Sequence, residues 1–114
     1  MYRKTVEELQ KDQREKLVID IRSEQETYPG AKHIFWEEFM EHIGEIPKEL
    51  PVYLFCYTGQ RSDEIAEDLS EQGYEIYSIE GGYRSYLRKK LADFMKEDDG
   101  TAERLADKAA DAER

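Results

Sequence analysis

Cys56, the only cysteine of the chain, closes the apolar run Pro51-Val-Tyr-Leu-Phe-Cys56 and opens the loop Cys56-Tyr-Thr-Gly-Gln-Arg61. A helical pattern starts just beyond it at Ser62. A thiol at the end of a buried strand, followed by a glycine turn and a helix N-terminus, meets several backbone N–H groups at once. Such groups favour a thiolate or hold an oxyanion. Cysteine also serves elsewhere as a small buried hydrophobe, but a merely structural cysteine has no need of this setting, so the reactive reading is preferred.

The elements that must hold this loop can be read from spacing. Val52 to Cys56 is almost wholly apolar, as expected of a central parallel strand covered on both faces. Asp63 to Gln72 follows with Ile65, Ala66 and Leu69 on one helical side, and Gly73 fits a helix C-cap. Upstream, Thr5-Val-Glu-Glu8 has the spacing of a capping box for a short helix, and Leu17 to Ile21 is β-branched and short enough for a strand. Ile34-Phe-Trp36 reads either as a brief strand or as the lead into the amphipathic segment Glu37 to Ile43, with its aromatics expected in the core. Pro47 and Pro51 make the passage from Gly44 to Pro51 a connection. Glu75 to Ile79 reads as a further strand and Gly81-Gly82 as a tight turn. Tyr83 to Phe94 reads as a helix with Tyr83, Tyr86, Leu87, Leu91 and Phe94 available for packing. Repeated strand and helix pairing predicts an α/β sheet.

Length and charge narrow the function classes. The 114 residues suit one domain, placed at residues 1–95, with an acidic, alanine-rich appendage at 96–114 that is helical or disordered. Acidic side chains outnumber basic ones 27 to 17, and the formal charge of −10 opposes binding to nucleic acid or to anionic membranes. A local anion site stays open, because Arg84, Arg88, Lys89 and Lys90 cluster on one segment. One cysteine forms no internal disulfide, and two scattered histidines lack the spacing of a zinc site, so neither metal nor cofactor is expected. The N-terminal residues lack the apolar stretch of a signal peptide, and the expected compartment is the cytoplasm, where a thiol stays reduced.

Three segments together resemble the single-domain rhodaneses, a sulfurtransferase family. Leu17-Val-Ile-Asp-Ile-Arg-Ser23 is similar to the first family motif, Cys56-Tyr-Thr-Gly-Gln-Arg-Ser62 to the active-site loop, and Ser78-Ile-Glu-Gly-Gly-Tyr83 to the glycine turn near the domain's end. The resemblance covers Val6 to Phe94 and implies a parallel sheet of about five strands with helices on both faces, a three-layer arrangement. It implies that Cys56 accepts a sulfane sulfur as a persulfide and passes it on. The donor would be a small anion such as thiosulfate or a persulfide, and the acceptor cyanide or a thiol, with a thiol or persulfide-carrying protein as a possible partner. In that reading the loop N–H groups from Tyr57 to Arg61 hold the sulfur anion, and Gly59 supplies a left-handed turn. Tyr57, Thr58 and Gln60 form the rim. Arg61 either binds the donor's oxygens and favours the thiolate or hydrogen-bonds loop carbonyls to hold the loop's shape. Asp20, Arg22 and Ser62 take supporting roles, and His33 is a scaffold histidine in a segment, Tyr28 to Ile34, that departs from the family's usual order. Tyr83 and Tyr86 line the mouth or pack in the core, with packing favoured for at least one.

Two other readings compete. A rhodanese-like binding or redox-sensing module would use Cys56 without turnover. A cysteine phosphatase or arsenate reductase would also set cysteine and arginine around an anion. However, four residues separate Cys56 from Arg61 here, which makes a narrower loop than a phosphate cradle with five.

Overall fold

A computed structural model describes residues 2–96. The expected appendage, apart from Lys96, lies outside the described residues. Five parallel strands form one sheet in the order β1 (Arg3–Lys4), β5 (Ile76–Ile79), β4 (Val52–Phe55), β2 (Leu17–Asp20), β3 (Lys32–His33). Helices α1 (Val6–Lys11), α2 (Gln60–Glu71) and α3 (Gly82–Lys96) and a 3₁₀ segment, Trp36–Glu45, complete the domain.

The apolar run before Cys56 occupies the centre of the sheet, and every residue of β4 is buried. Alternation then sorts its side chains onto two faces. Val52, Leu54 and Cys56 join Ile19, Ile21, Phe39, Ala66 and Leu69 on the face covered by α2 and the 3₁₀ segment. Tyr53 and Phe55 join Val6, Leu9, Tyr83 and Tyr86 under α1 and α3. Cys56 therefore points to the α2 face, while Phe55, one residue earlier, anchors the opposite layer.

Local chemistry explains most boundaries. Thr5 and Glu8 form the reciprocal capping box at the start of α1, the Thr5 hydroxyl accepting from the Glu8 N–H at 3.1 Å. The sequence Phe35–Trp36 leads into helix, not strand: Trp36 N–H donates to the Ile21 carbonyl at 3.0 Å and so ends the β3 side of the sheet. Strands β1 and β3 have two residues each and carry charged side chains, so neither shows the apolar pattern that marks a strand in sequence. Two expectations are corrected. Phe35 is half-buried and lies outside both core clusters, while Trp36 only packs against the edge of one. On α3, Tyr83 and Tyr86 are buried, but Leu87, Leu91 and Phe94 stay 47%, 60% and 51% exposed, because only the first turns of the helix lie against the sheet.

A polar lock closes the end of the sheet where the strands begin. The Tyr53 hydroxyl donates to Asp12 at 2.6 Å, and Arg14 donates to the same carboxylate through Nε and Nη2 at 2.9 Å each. Arg14 also pairs with Glu75 at 2.9 Å, just ahead of β5. Together these ties join the α1–β2 connection to β4 and β5. The Arg14 guanidinium, followed by the Tyr53 hydroxyl, holds the Asp12 carboxyl well below the usual carboxylate range.

Asp12→Asn is expected to cost about 2 kcal/mol at neutral pH. The folded carboxyl titrates below its unfolded value of about 3.9, so its contribution is present above about pH 4 and is lost as pH falls through the depressed folded value. Urea unfolding of the two proteins from pH 7 downward should show their midpoints converging in acid; a gap that stays constant to the lowest pH would mean that the charge of Asp12 adds nothing.

Candidate functional site

Parallel strands present their carboxyl ends together, and the crevice there is where an open α/β sheet binds ligands. At that end Asp20 is paired in register with Phe55, and Leu54 with Ser78. Cys56 follows directly from β4 and is 5% exposed. It lines a cavity of about 260 Å³ together with Ile21, Arg22, Glu24, Phe35, Trp36, Tyr57 and Arg61.

The loop after Cys56 folds back on the sulfur. The Gly59 N–H donates to Cys56 Sγ at 2.8 Å, and the Ser62 hydroxyl lies 3.3 Å from the same atom. This needs Gly59 at φ +105°, a left-handed conformation that costs a side-chain-bearing residue. The turn also starts α2 at Gln60, earlier than Ser62. Ser62 is fully buried and meets Ser78 of β5, also fully buried, with the two hydroxyl oxygens 2.6 Å apart. A chain of hydroxyls thus runs from the strand beside β4 to the sulfur. When Ser78 donates to Ser62, the Ser62 hydrogen is left for Cys56 Sγ or for the Gly59 carbonyl, whose oxygen is 3.2 Å away.

The other side of the loop is pinned by α3. Tyr83 N–H donates to the Cys56 carbonyl at 2.8 Å and Arg84 N–H to the Tyr57 carbonyl at 3.5 Å. The contact is possible only because residue 82 has no side chain. A β-carbon on Gly82 would lie 2.6 Å from the Cys56 carbonyl oxygen and 2.7 Å from the carbonyl carbon and oxygen of Tyr57, and Gly82 has φ +63°.

Asp20 and Arg22 form a nearly buried ion pair. Asp20 accepts from the Arg22 backbone N–H at 2.9 Å and from Nη2 at 2.7 Å, and Nη2 also donates to the Glu26 carbonyl at 2.5 Å. The Arg22 guanidinium lies 3.9 Å from the centre of the Tyr83 ring. The pair therefore ties the end of β2 to the start of α3 beneath the site. His33 is 3.9 Å from Asp20 but is not part of the cavity wall at Cys56.

The Arg61 guanidinium stacks on Trp36, 3.6 Å from the ring centre, rather than holding the loop carbonyls. Tyr57, Thr58 and Gln60 are exposed, and of the three only Tyr57 lines the cavity. Tyr83 and Tyr86 are buried away from it under the opposite face of the sheet. Three participants at the site are not marked as such by the sequence. Ser78 is the one small polar residue among Ile76, Tyr77 and Ile79 of β5, and that oddity is the one signal that points to it. Phe35 and Trp36 have the character of core residues, and nothing in their spacing distinguishes a cavity wall from core packing.

The chain is similar to proteins of one known family. Residues 3–89 match the family model described as the rhodanese-like domain. The chain is 33% identical over 78 residues to thiosulfate sulfurtransferase GlpE of Coxiella burnetii, an alignment spanning 64% of this chain and 73% of that protein. It is 36% identical over 80 residues to a tRNA sulfurtransferase of Desulfurococcus amylolyticus, covering 64% of this chain and 16% of that longer protein. The crystal structure of a rhodanese-like domain protein from Staphylococcus aureus superposes with a TM-score of 0.66 at 25% identity, over 75% of this chain and 91% of the other.

Gly82→Ala should destabilise the fold by about 3 kcal/mol, since the atoms it meets are backbone and its dihedral is left-handed. Gly73→Ala is the control: φ is +96° there, but no atom lies within 4 Å of the added carbon. Only the left-handed penalty of about 1–2 kcal/mol applies at that position. Equal shifts of the two denaturation midpoints would show that the approach of α3 to the loop is not tight.

Proposed function

The chain belongs to the rhodanese-like domain family, and from that membership and the Cys56 geometry we propose a sulfurtransferase that carries sulfur as a persulfide on Cys56. The observation that carries the reading is Cys56 itself: the residue lines a cavity, and its sulfur receives the Gly59 N–H at 2.8 Å, with the Ser62 hydroxyl at 3.3 Å. Donors already aimed at Cys56 Sγ stabilise a thiolate at that atom, both before sulfur is taken up and when Cys56 departs after giving it away, with no reorganisation during transfer.

In the first half-reaction the Cys56 thiolate attacks the terminal sulfur of a donor such as thiosulfate or a persulfide. A new S–S bond forms at Cys56, the donor's own S–S bond breaks, and its electron pair leaves with sulfite or a thiolate. In the second, cyanide or an acceptor thiol attacks the outer sulfur, and Cys56 departs as the thiolate that began the cycle. No general base is required once the thiolate is formed. Arg61 supports the anionic end of the donor from the cavity wall, and Ser62 and Ser78 orient a hydroxyl toward the sulfur. Asp20 and Arg22 hold the platform without handling a proton. Relatives that are themselves sulfurtransferases by name support sulfur transfer as the activity class. A thiol or persulfide-carrying protein is compatible with the exposed rim of Tyr57, Thr58 and Gln60.

Intact-protein mass spectrometry after exposure to thiosulfate or to an organic persulfide should show a gain of one sulfur, about 32 Da, that cyanide removes. Cys56→Ser should show none. A stable adduct on the serine variant, or no adduct from either donor on the native chain, would overturn the reading.

A further inference from the structure

The charges around the cavity do not suit a dianion. Of the two arginines in its wall, Arg22 is already neutralised: Asp20, wholly buried, takes its Nη2 at 2.7 Å, and Glu24 lies 3.6 Å from Nη1. Arg61 is the remaining cation of that wall, and Glu24 shares the wall with it. A donor carrying two negative charges would meet one uncommitted cation and one carboxylate, and would shed water against aromatic surface. Desolvating charge without a matching partner is unfavourable.

The same walls suit an organic group. Ile21, Phe35, Trp36 and Tyr57 supply the apolar surface, and the cavity of about 260 Å³ has room for more than a small inorganic ion. Trp36 has two tasks here. One ring face holds the Arg61 guanidinium at 3.6 Å, which sets the cation's position, and the ring as a whole forms cavity wall.

Building on the sulfurtransferase reading, we propose that the preferred donor is an organic sulfane-sulfur compound bearing one negative charge and an apolar group, with Trp36 as a specificity-determining residue. The natural form of this chemistry is a persulfide, R–S–S⁻ with apolar R. The terminal sulfur sits against Cys56, its charge faces Arg61, and R lies against the aromatic wall. The Cys56 thiolate bonds to the terminal sulfur, the donor's S–S bond breaks, and R–S⁻ leaves with the electron pair. One proton from solvent completes Cys56–S–SH, and no external oxidant or reductant enters.

Stable probes separate charge from apolar fit. Methane-, propane- and benzenethiosulfonate, as sodium salts, are monoanions that deliver a sulfur in the same way and release a sulfinate. Their rates of loading onto Cys56 in the full chain, followed by intact mass, are divided by their rates with a free small thiol to remove intrinsic reactivity; thiosulfate is treated alike. The corrected rate should rise about two- to fourfold for each added methylene. Benzenethiosulfonate should exceed thiosulfate at least about tenfold, the margin a hydrophobic pocket gives for a group it can bury. Trp36→Ala should flatten the series, while Trp36→Phe keeps most of it. A series that is flat in the native chain, or thiosulfate loading as fast as benzenethiosulfonate after correction, would overturn the donor class and leave Cys56 as carrier. Failure of every donor to load Cys56 would overturn the sulfurtransferase reading and this inference together.

Discussion

The close approach of Gly82 to the carbonyls of Cys56 and Tyr57 is the constraint on which the site depends. With a side chain at residue 82, α3 could not bring its first N–H groups onto the carbonyls that follow β4. The loop would then lose the support opposite α2. As built, backbone from two helices grips the residues around Cys56 from both sides: Gly59 at the head of α2 donates to the sulfur, and Tyr83 at the head of α3 donates to the carbonyl. The sulfur is held by backbone geometry, which needs no long side chain to be ordered.

Charge is arranged in two compartments around that backbone. Where the strands begin, Asp12, Arg14, Tyr53 and Glu75 form a network that stabilises the sheet far from the chemistry. Where the strands end, Asp20 and Arg22 cancel each other in near-complete burial, so Arg22 brings little net charge to the cavity wall it helps form. Arg61 is set apart from both by its aromatic partner instead of a carboxylate. A stacked guanidinium keeps its charge and its N–H edges available, whereas one in a bidentate ion pair has spent them. Aromatic support is therefore what allows a cation to remain ready in an acidic protein.

Much of this is legible in the amino-acid sequence. The all-apolar run ending in Cys56 marks a strand covered on both faces, Gly59 marks a left-handed turn, and the Thr5–Glu8 spacing marks a cap, each because one residue's local chemistry suffices to decide it. Legibility fails where a residue type fits two environments. Leu91 and Phe94 have helical spacing that predicts burial, yet how far a sheet extends beneath a helix is not encoded in the helix. Strands β1 and β3 carry Arg3, Lys4, Lys32 and His33, because edge strands need backbone partners but not apolar faces.

By itself the sequence determined the main strands and helices, the central place of β4, the position of the lone thiol at its end and the dihedral freedom at the turns. All of these follow from periodicity over a few neighbouring residues or from the chemistry of a single side chain. Tertiary structure alone decided that Trp36 carries Arg61, that Ser78 meets Ser62, and that Gly82 must lie against Cys56. Those pairs are separated by 16 to 26 positions along the chain. No local pattern links residues so far apart; their meeting follows from the register of parallel strands and from helices packed across them, which bring distant segments within hydrogen-bonding or stacking distance.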